Sequence, residues 1–213
     1  VSGTIFNWVV VATNGITGFS TPGNGNTIPA STLINPSNTS GTVTYTVTPT
    51  NNGCVGTPIN FVITVNPAPL VPAQALTVCS GNAFTVSLIN NPPSVILPTG
   101  TTFTWTVSSP VGISGASNQS TPITSIGQTL VNTTNAPIDV VYTITATTGT
   151  APNTCSSIFA LTVTVNPRPQ IPNQSLSTCS GNPFNLSLVN TPPSIILPAG
   201  TTYTWTVSVP VEI

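Results

Sequence analysis

Cysteine is the residue type in this chain best suited to chemistry. Four occur, Cys54, Cys79, Cys155 and Cys179, and no His accompanies them. No pair has Cys-x-x-Cys spacing, so zinc is not expected, and the four read as disulfide candidates. The charged residues are fewer still: Arg168, Asp139 and Glu212. Nucleophilic catalysis needs a base beside Ser or Cys, and Asp139 has no charged partner in its own part of the chain. Glycoside hydrolysis needs two neighbouring carboxylates, but Asp139 and Glu212 fall at non-equivalent places in different repeats. Calcium sites need clustered acids. The sequence therefore predicts no enzyme, no metal and no cofactor.

Charge bounds the partners as well. Only 1% of residues are charged, against about a quarter in ordinary soluble domains. A net charge of −1 gives no electrostatic steering. Nucleic acid and anionic membranes both require Lys and Arg, so neither is an expected partner. Near-zero net charge favours self-association, which suits a fibre or a crowded surface layer. Apolar content of 38%, periodically arranged, argues against disorder. No apolar run reaches the roughly 20 residues of a membrane helix. Val1-Ser2-Gly3-Thr4 lacks the basic start of a signal peptide. Asn38-Thr39-Ser40, Asn118-Gln119-Ser120 and Asn132-Thr133-Thr134 match the glycosylation sequon, which in a eukaryote would mark surface loops.

The elements that must position these residues repeat. Cys79-Ser80-Gly81-Asn82 returns as Cys179-Ser180-Gly181-Asn182, and Thr104-Trp105-Thr106-Val107 as Thr204-Trp205-Thr206-Val207, each 100 residues on. Trp8 matches Trp105 and Tyr45 matches Tyr142, each 97 residues on. A period of this length is a whole small domain. Three copies follow: 1–67, the C-terminal part of a repeat; 68–167, a complete one; and 168–213, the N-terminal part of a third. The chain reads as an excerpt of a longer protein, with targeting and anchoring signals outside it. Asn66-Pro67-Ala68-Pro69 and Asn166-Pro167-Arg168-Pro169 mark the boundaries, and Pro-x-Pro makes a semi-rigid extended spacer. Neighbouring copies should touch end to end and form a rod.

Within copy two, alternating Thr and apolar residues predict strands near 75–78, 83–89, 102–107, 128–132, 140–146 and 158–165, with one or two more in 111–126. Gly23-Asn24-Gly25-Asn26 reads as a turn. Six to eight short strands in about 100 residues predict an all-β, immunoglobulin-like sandwich. Trp8, Trp105, Trp205, Tyr45 and Tyr142 are the expected core, with Trp105 and Trp205 in equivalent surroundings. Val78-Cys79-Ser80-Gly81, the run Pro98 to Val107, Asn132-Thr133-Thr134, Val141-Tyr142-Thr143-Ile144 and Leu161 to Pro167 carry a resemblance. In order and spacing they resemble the PKD-like, immunoglobulin-like repeats of giant cell-surface proteins of Bacteroidota of the Flavobacterium type. That resemblance implies export by the type IX system. It also implies a role in adhesins, gliding-motility filaments or stalks, and it supplies no catalytic residues.

Each copy carries one cysteine after its first strand (Cys79, Cys179) and one in its last hairpin (Cys54, Cys155). Cys79–Cys155 within a copy is the simplest pairing. A standard sandwich sets those sites at opposite ends, beyond the roughly 7 Å between Cα atoms that a disulfide allows, although a non-standard first strand would rescue the bond. A bond across the junction would join Cys79 to the hairpin cysteine of copy three, past residue 213. Cys54–Cys79 is disfavoured, and four buried free thiols is the remaining alternative. Under either of the first two pairings Cys54 and Cys179 lack partners within this chain. The expected function is a structural segment of a long extracellular, cell-surface adhesin or filament, touching neighbouring repeats and other copies of the filament. The competing expectation is a carbohydrate-binding module. It would need exposed aromatics, and Phe6, Phe19 and Phe159 are the least settled.

Overall fold

A computed structural model describes residues 3–208, and the described residues contain no helix. Copy one holds β1 (Ile5–Ala12), β2 (Gly23–Gly25), β3 (Gly41–Asn51), β4 (Cys54–Val55) and β5 (Ile59–Val65). They form one sheet in which β3 lies between β1 and β5 and β2 edges β1. Copy two holds β6 (Gln74–Cys79), β7 (Ala83–Val86), β8 (Thr102–Val107), β9 (Ile113–Ser114), β10 (Gln119–Ile123), β11 (Ile126–Thr129), β12 (Val131–Asn132), β13 (Ile138–Thr148) and β14 (Cys155–Asn166). Its main sheet has the order β10-β8-β13-β14-β6, facing the pairs β11-β7 and β12-β9. No strand of copy one pairs with a strand of copy two among the described residues.

Period-two sequence makes this a two-layer, immunoglobulin-like β-sandwich. In β3, Val43, Tyr45 and Val47 point inward and are buried, while Thr42, Thr44 and Thr46 between them are half-exposed. In β13 the inward set is Val140, Tyr142, Ile144 and Ala146. Phe84 from the second layer meets Tyr142 edge-on at 6.0 Å, and Trp105 meets the same ring at 6.5 Å. Burial of each large apolar side chain stabilises by about 1.5–3 kcal/mol.

The change of offset from 97 to 100 lies in the last hairpin. Asn51↔Cys54 closes a two-residue Asn52-Gly53 turn in copy one, both with positive φ, as a tight primed turn requires. Thr148↔Cys155 closes a six-residue loop in copy two. Copy one regains one residue in a bulge, because Gly56–Pro58 oppose only Thr48 and Pro49.

Three expectations need correction. Gly23-Asn24-Gly25 is not a free turn but an edge strand on Phe6–Trp8. A Cβ at Gly23 would stand 2.9 Å from the Trp8 ring, so glycine lets the strand close over the indole. β7 stops at Val86 instead of Ile89, because its partner β11 begins at Ile126, opposite Val86. Trp205 and Trp105 do not share an environment: Trp105 is 4% exposed and Trp205 is 83% exposed. Trp105 is covered from β13, where it pairs with Ile144. Copy three holds no counterpart of β13 within this chain, and residues 171–208 form no strand.

Candidate functional site

The residues able to do chemistry are scattered, and each is engaged separately. Asp139 accepts a hydrogen bond from the Thr164 hydroxyl at 2.6 Å on the outer face of the β13–β14 ladder. Arg168 donates to Asn82 Oδ1 at 2.8 Å. Glu212 lies outside the described residues. Among the described residues no three His, Cys, Asp or Glu side chains gather. The Tyr142 hydroxyl is pushed up to about 12 by burial and donates to Gln128 at 2.8 Å, a buffered interior hydrogen bond rather than a proton donor for chemistry.

The four cysteines are free thiols; Cys54, Cys79 and Cys179 are exposed and Cys155 is half-buried. The alternative of buried thiols is therefore corrected. β6 runs parallel to β14 and places Cys79 opposite Asn166, while Cys155 begins the same twelve-residue strand. Eleven residues at about 3.3 Å each separate the two ends by roughly 36 Å, so a bond within the copy is excluded. Cys155 instead lines a cleft of about 450 Å³ with Asn38, Thr39, Asn66 and Pro67 of copy one.

The predicted aromatic residues are joined by an arrangement that both copies repeat. Trp8 Nε1 donates to the Thr21 carbonyl at 3.1 Å and Trp105 Nε1 to the Ser117 carbonyl at 2.9 Å. Tyr45 is 3% and Tyr142 1% exposed. The Tyr45 hydroxyl accepts from the Ser20 amide. Tyr142 reaches the equivalent Ser117 through Gln128.

Sequence reasoning missed the residue that closes each sandwich, Asn35 in copy one and Asn132 in copy two. Both are buried. Asn132 Nδ2 donates to the Ala136 and Val165 carbonyls, each at 2.8 Å. Its Oδ1 accepts from the Thr134 amide and hydroxyl at 2.9 and 2.8 Å. Asn35 repeats this with Thr39, Val65 and Ser37. The sequon match at Asn132-Thr133-Thr134 does not mark a surface loop: both amide hydrogens are spent inside. The recurring Cys-Ser-Gly-Asn turn serves the same closure. Ser80 is buried, and its hydroxyl accepts from the Asn132 amide at 2.9 Å, while Gly81, with φ 81, donates its amide to the Leu130 carbonyl. The signal was an Asn repeated 97 residues on, two places after a Leu that repeats with it, Leu33 and Leu130.

The junction residues are ordered too. Pro67, Pro69 and Val71 are buried, and Leu70 exchanges both backbone hydrogen bonds with Ile96. Gln170 does the same with Ile196 at the next boundary. No curated protein sequence matches the chain. The family described as PKD-like domain matches residues 1–69 and again 76–169. Two successive matches, covering well over half the sequence and coinciding with the two Trp–Tyr–Asn sandwiches, place the chain in the PKD-like domain family.

Proposed function

We propose that this chain is a structural segment of a long extracellular surface protein, built from repeats 1–67, 68–167 and 168–213 set end to end. Its task is reach and mechanical continuity, in an adhesin or filament of a Bacteroidota-type cell surface exported by the type IX route. It carries no catalytic function. PKD-like domains commonly occur in extracellular proteins. The observation that carries the reading is the repeated junction. At both boundaries the residue after the Pro-x-Pro spacer makes the same two-hydrogen-bond bridge to the copy that follows, Leu70 to Ile96 and Gln170 to Ile196, and a spacer anchored at that end has less freedom to hinge. A carbohydrate platform is less well supported. The exposed aromatics Phe184, Tyr203 and Trp205 stand in the registers that Phe84, Phe103 and Trp105 occupy inside copy two, and Phe61 in that of Leu161, so their exposure follows from absent cover and not from a built sugar-stacking surface; Phe159 is buried and Phe6 is 37% exposed.

Small-angle X-ray scattering extrapolated to zero concentration tests this. A twelve-residue strand sets a repeat length of about 40 Å, so a rod has a maximum dimension near 100 Å or more and a cross-section near one sandwich. A compact particle, or the broad distribution of freely jointed beads, would refute the reading.

A further inference from the structure

Between β7 and β8 of copy two runs a connection of 15 residues, 87–101. Most connections in compact domains are far shorter, and loops of this length are usually functional. This one is folded. Asn91 and Val95 exchange both backbone hydrogen bonds, and so do Ile96 and Leu70 of the spacer. The Leu97 amide donates to Asn90 Oδ1 at 2.8 Å, and the Thr101 hydroxyl donates to the Pro98 carbonyl at 2.6 Å. Residues 187–201 repeat all of these contacts: Thr191 with Ile195, Ile196 with Gln170, Leu197 with Asn190 at 2.8 Å, and Thr201 with Pro198 at 2.6 Å. The loop takes this form in copy two, whose sandwich is assembled, and in copy three, where residues 171–208 form no strand. Its shape is therefore its own and is not imposed by the sandwich it belongs to.

What the loop buries is not sandwich core either. Ile96 is 5% and Ile196 4% exposed, yet Ile96 stands outside the packed apolar cluster of copy two. Ile196 faces the copy before it. With Pro193 it lines a cleft of about 360 Å³ whose other wall is the base of copy two: Ser80, Gly81, Asn132 and Thr133. Those residues close copy two, since the Ser80 hydroxyl accepts from the Asn132 amide and Gly81 donates to the Leu130 carbonyl. The spacer is tied to the same turn, with Arg168 donating to Asn82 Oδ1 at 2.8 Å. At the other junction Pro98 and Thr99 share a cleft with Thr39 and Asn66 at the base of copy one.

We infer that this loop is the partner of the preceding copy's base: residues 187–201 dock on the closing turn of copy two through Ile196 and brace it, as residues 87–101 do for copy one. Each copy is then stabilised by the loop of the next, so stability along the array sums single-copy and nearest-neighbour contributions. This coupling rests on the end-to-end reading, since the following copy must sit at the base of the one before it.

Urea unfolding of the full 213-residue chain tests it. With Trp8→Phe and Trp205→Phe, the remaining Trp105 reports copy two alone. Ile196→Ser then removes the docking side chain from copy three and alters no residue of copy two. It should lower the midpoint of the Trp105 transition. At a fixed urea concentration it should raise the unfolding constant at least about 10-fold, the scale of uncovering one large aliphatic side chain. Leu176→Ser, also in copy three but at a residue 61% exposed, should leave that transition in place. Two results would overturn the inference: a Trp105 transition unmoved by Ile196→Ser, or one moved as far by Leu176→Ser. A rod in small-angle scattering together with an unmoved transition would remove the coupling and leave the end-to-end reading standing.

Discussion

Replacing Asn132 by Asp changes one NH2 to O and almost no volume, yet the closure of copy two should turn pH-dependent. In the native site two carbonyl oxygens face Nδ2 at 2.8 Å each. A carboxylate there would point negative charge at both, buried and without a cation. Its folded-state pKa therefore rises above the unfolded value of about 3.9. Below pH 3.9 the Asp is protonated in both states and donates to one carbonyl, so the cost is one orphaned acceptor, about 1–3 kcal/mol. Above pH 3.9 the unfolded state releases a proton that the folded state keeps. Stability then falls by about 1.4 kcal/mol per pH unit until the folded pKa is passed. If that pKa reaches 7, the additional loss at pH 7 is about 4 kcal/mol, a large share of the roughly 5–15 kcal/mol that holds a domain together. Urea unfolding followed by fluorescence in a Trp8→Phe, Trp205→Phe background leaves Trp105 as the one reporter. Asn132→Ala, with no proton to exchange, should cost similar amounts at pH 4 and pH 7. Equal destabilisation of Asn132→Asp at the two pH values would refute the assignment of Asn132 as donor to both carbonyls.

Other outcomes follow from the same geometry. Trp105→Ala should destabilise copy two by about 3–5 kcal/mol in urea unfolding, whereas Trp205→Ala, at a site 83% exposed, should leave that transition in place. In spectrophotometric titration at 295 nm, Tyr142 should stay protonated through pH 10 and ionise only near 12, and Gln128→Ala should leave the hydroxyl without its acceptor and lower the unfolding midpoint. With oxidised glutathione as the oxidant, each new disulfide consumes two thiols and yields two reduced glutathiones. No Cys79–Cys155 bond should form within a chain, given their separation of roughly 36 Å.

The layers were readable in sequence because a strand exposes its period directly: Val43, Tyr45 and Val47 alternate with Thr, and so do their counterparts in β13. The same reading located Trp8, Trp105, Tyr45 and Tyr142 in buried positions. Periodicity says nothing of a lone polar residue at a strand end, so the predicted strand 128–132 ended on Asn132 with no sign of the four short hydrogen bonds that hold it. Gly23 escaped for a related reason: Gly-Asn-Gly-Asn has turn composition, and only the Trp8 ring lying across it favours a side-chain-free strand. Trp205 erred in the opposite direction. Its local sequence matches Trp105 residue for residue, but burial belongs to the assembled sandwich, and Trp105 takes its cover from β13, where its partner Ile144 lies 39 residues further on.

That last point bears on how a repeat of this kind holds together. In copy two the covering strands β13 and β14 come late in the chain, while β6 and β7, which finish the inner face, come early. Each sandwich is therefore closed by its two ends: Ser80 and Gly81 of the first turn bond Asn132 and Leu130 of the second half. Copy one keeps Trp8 and Tyr45 buried without the early strands, but either half alone leaves a specific apolar face open. Copy one shows the late half with Phe61 and Ile63 uncovered, and copy three shows the early half with Phe184 and Trp205 uncovered.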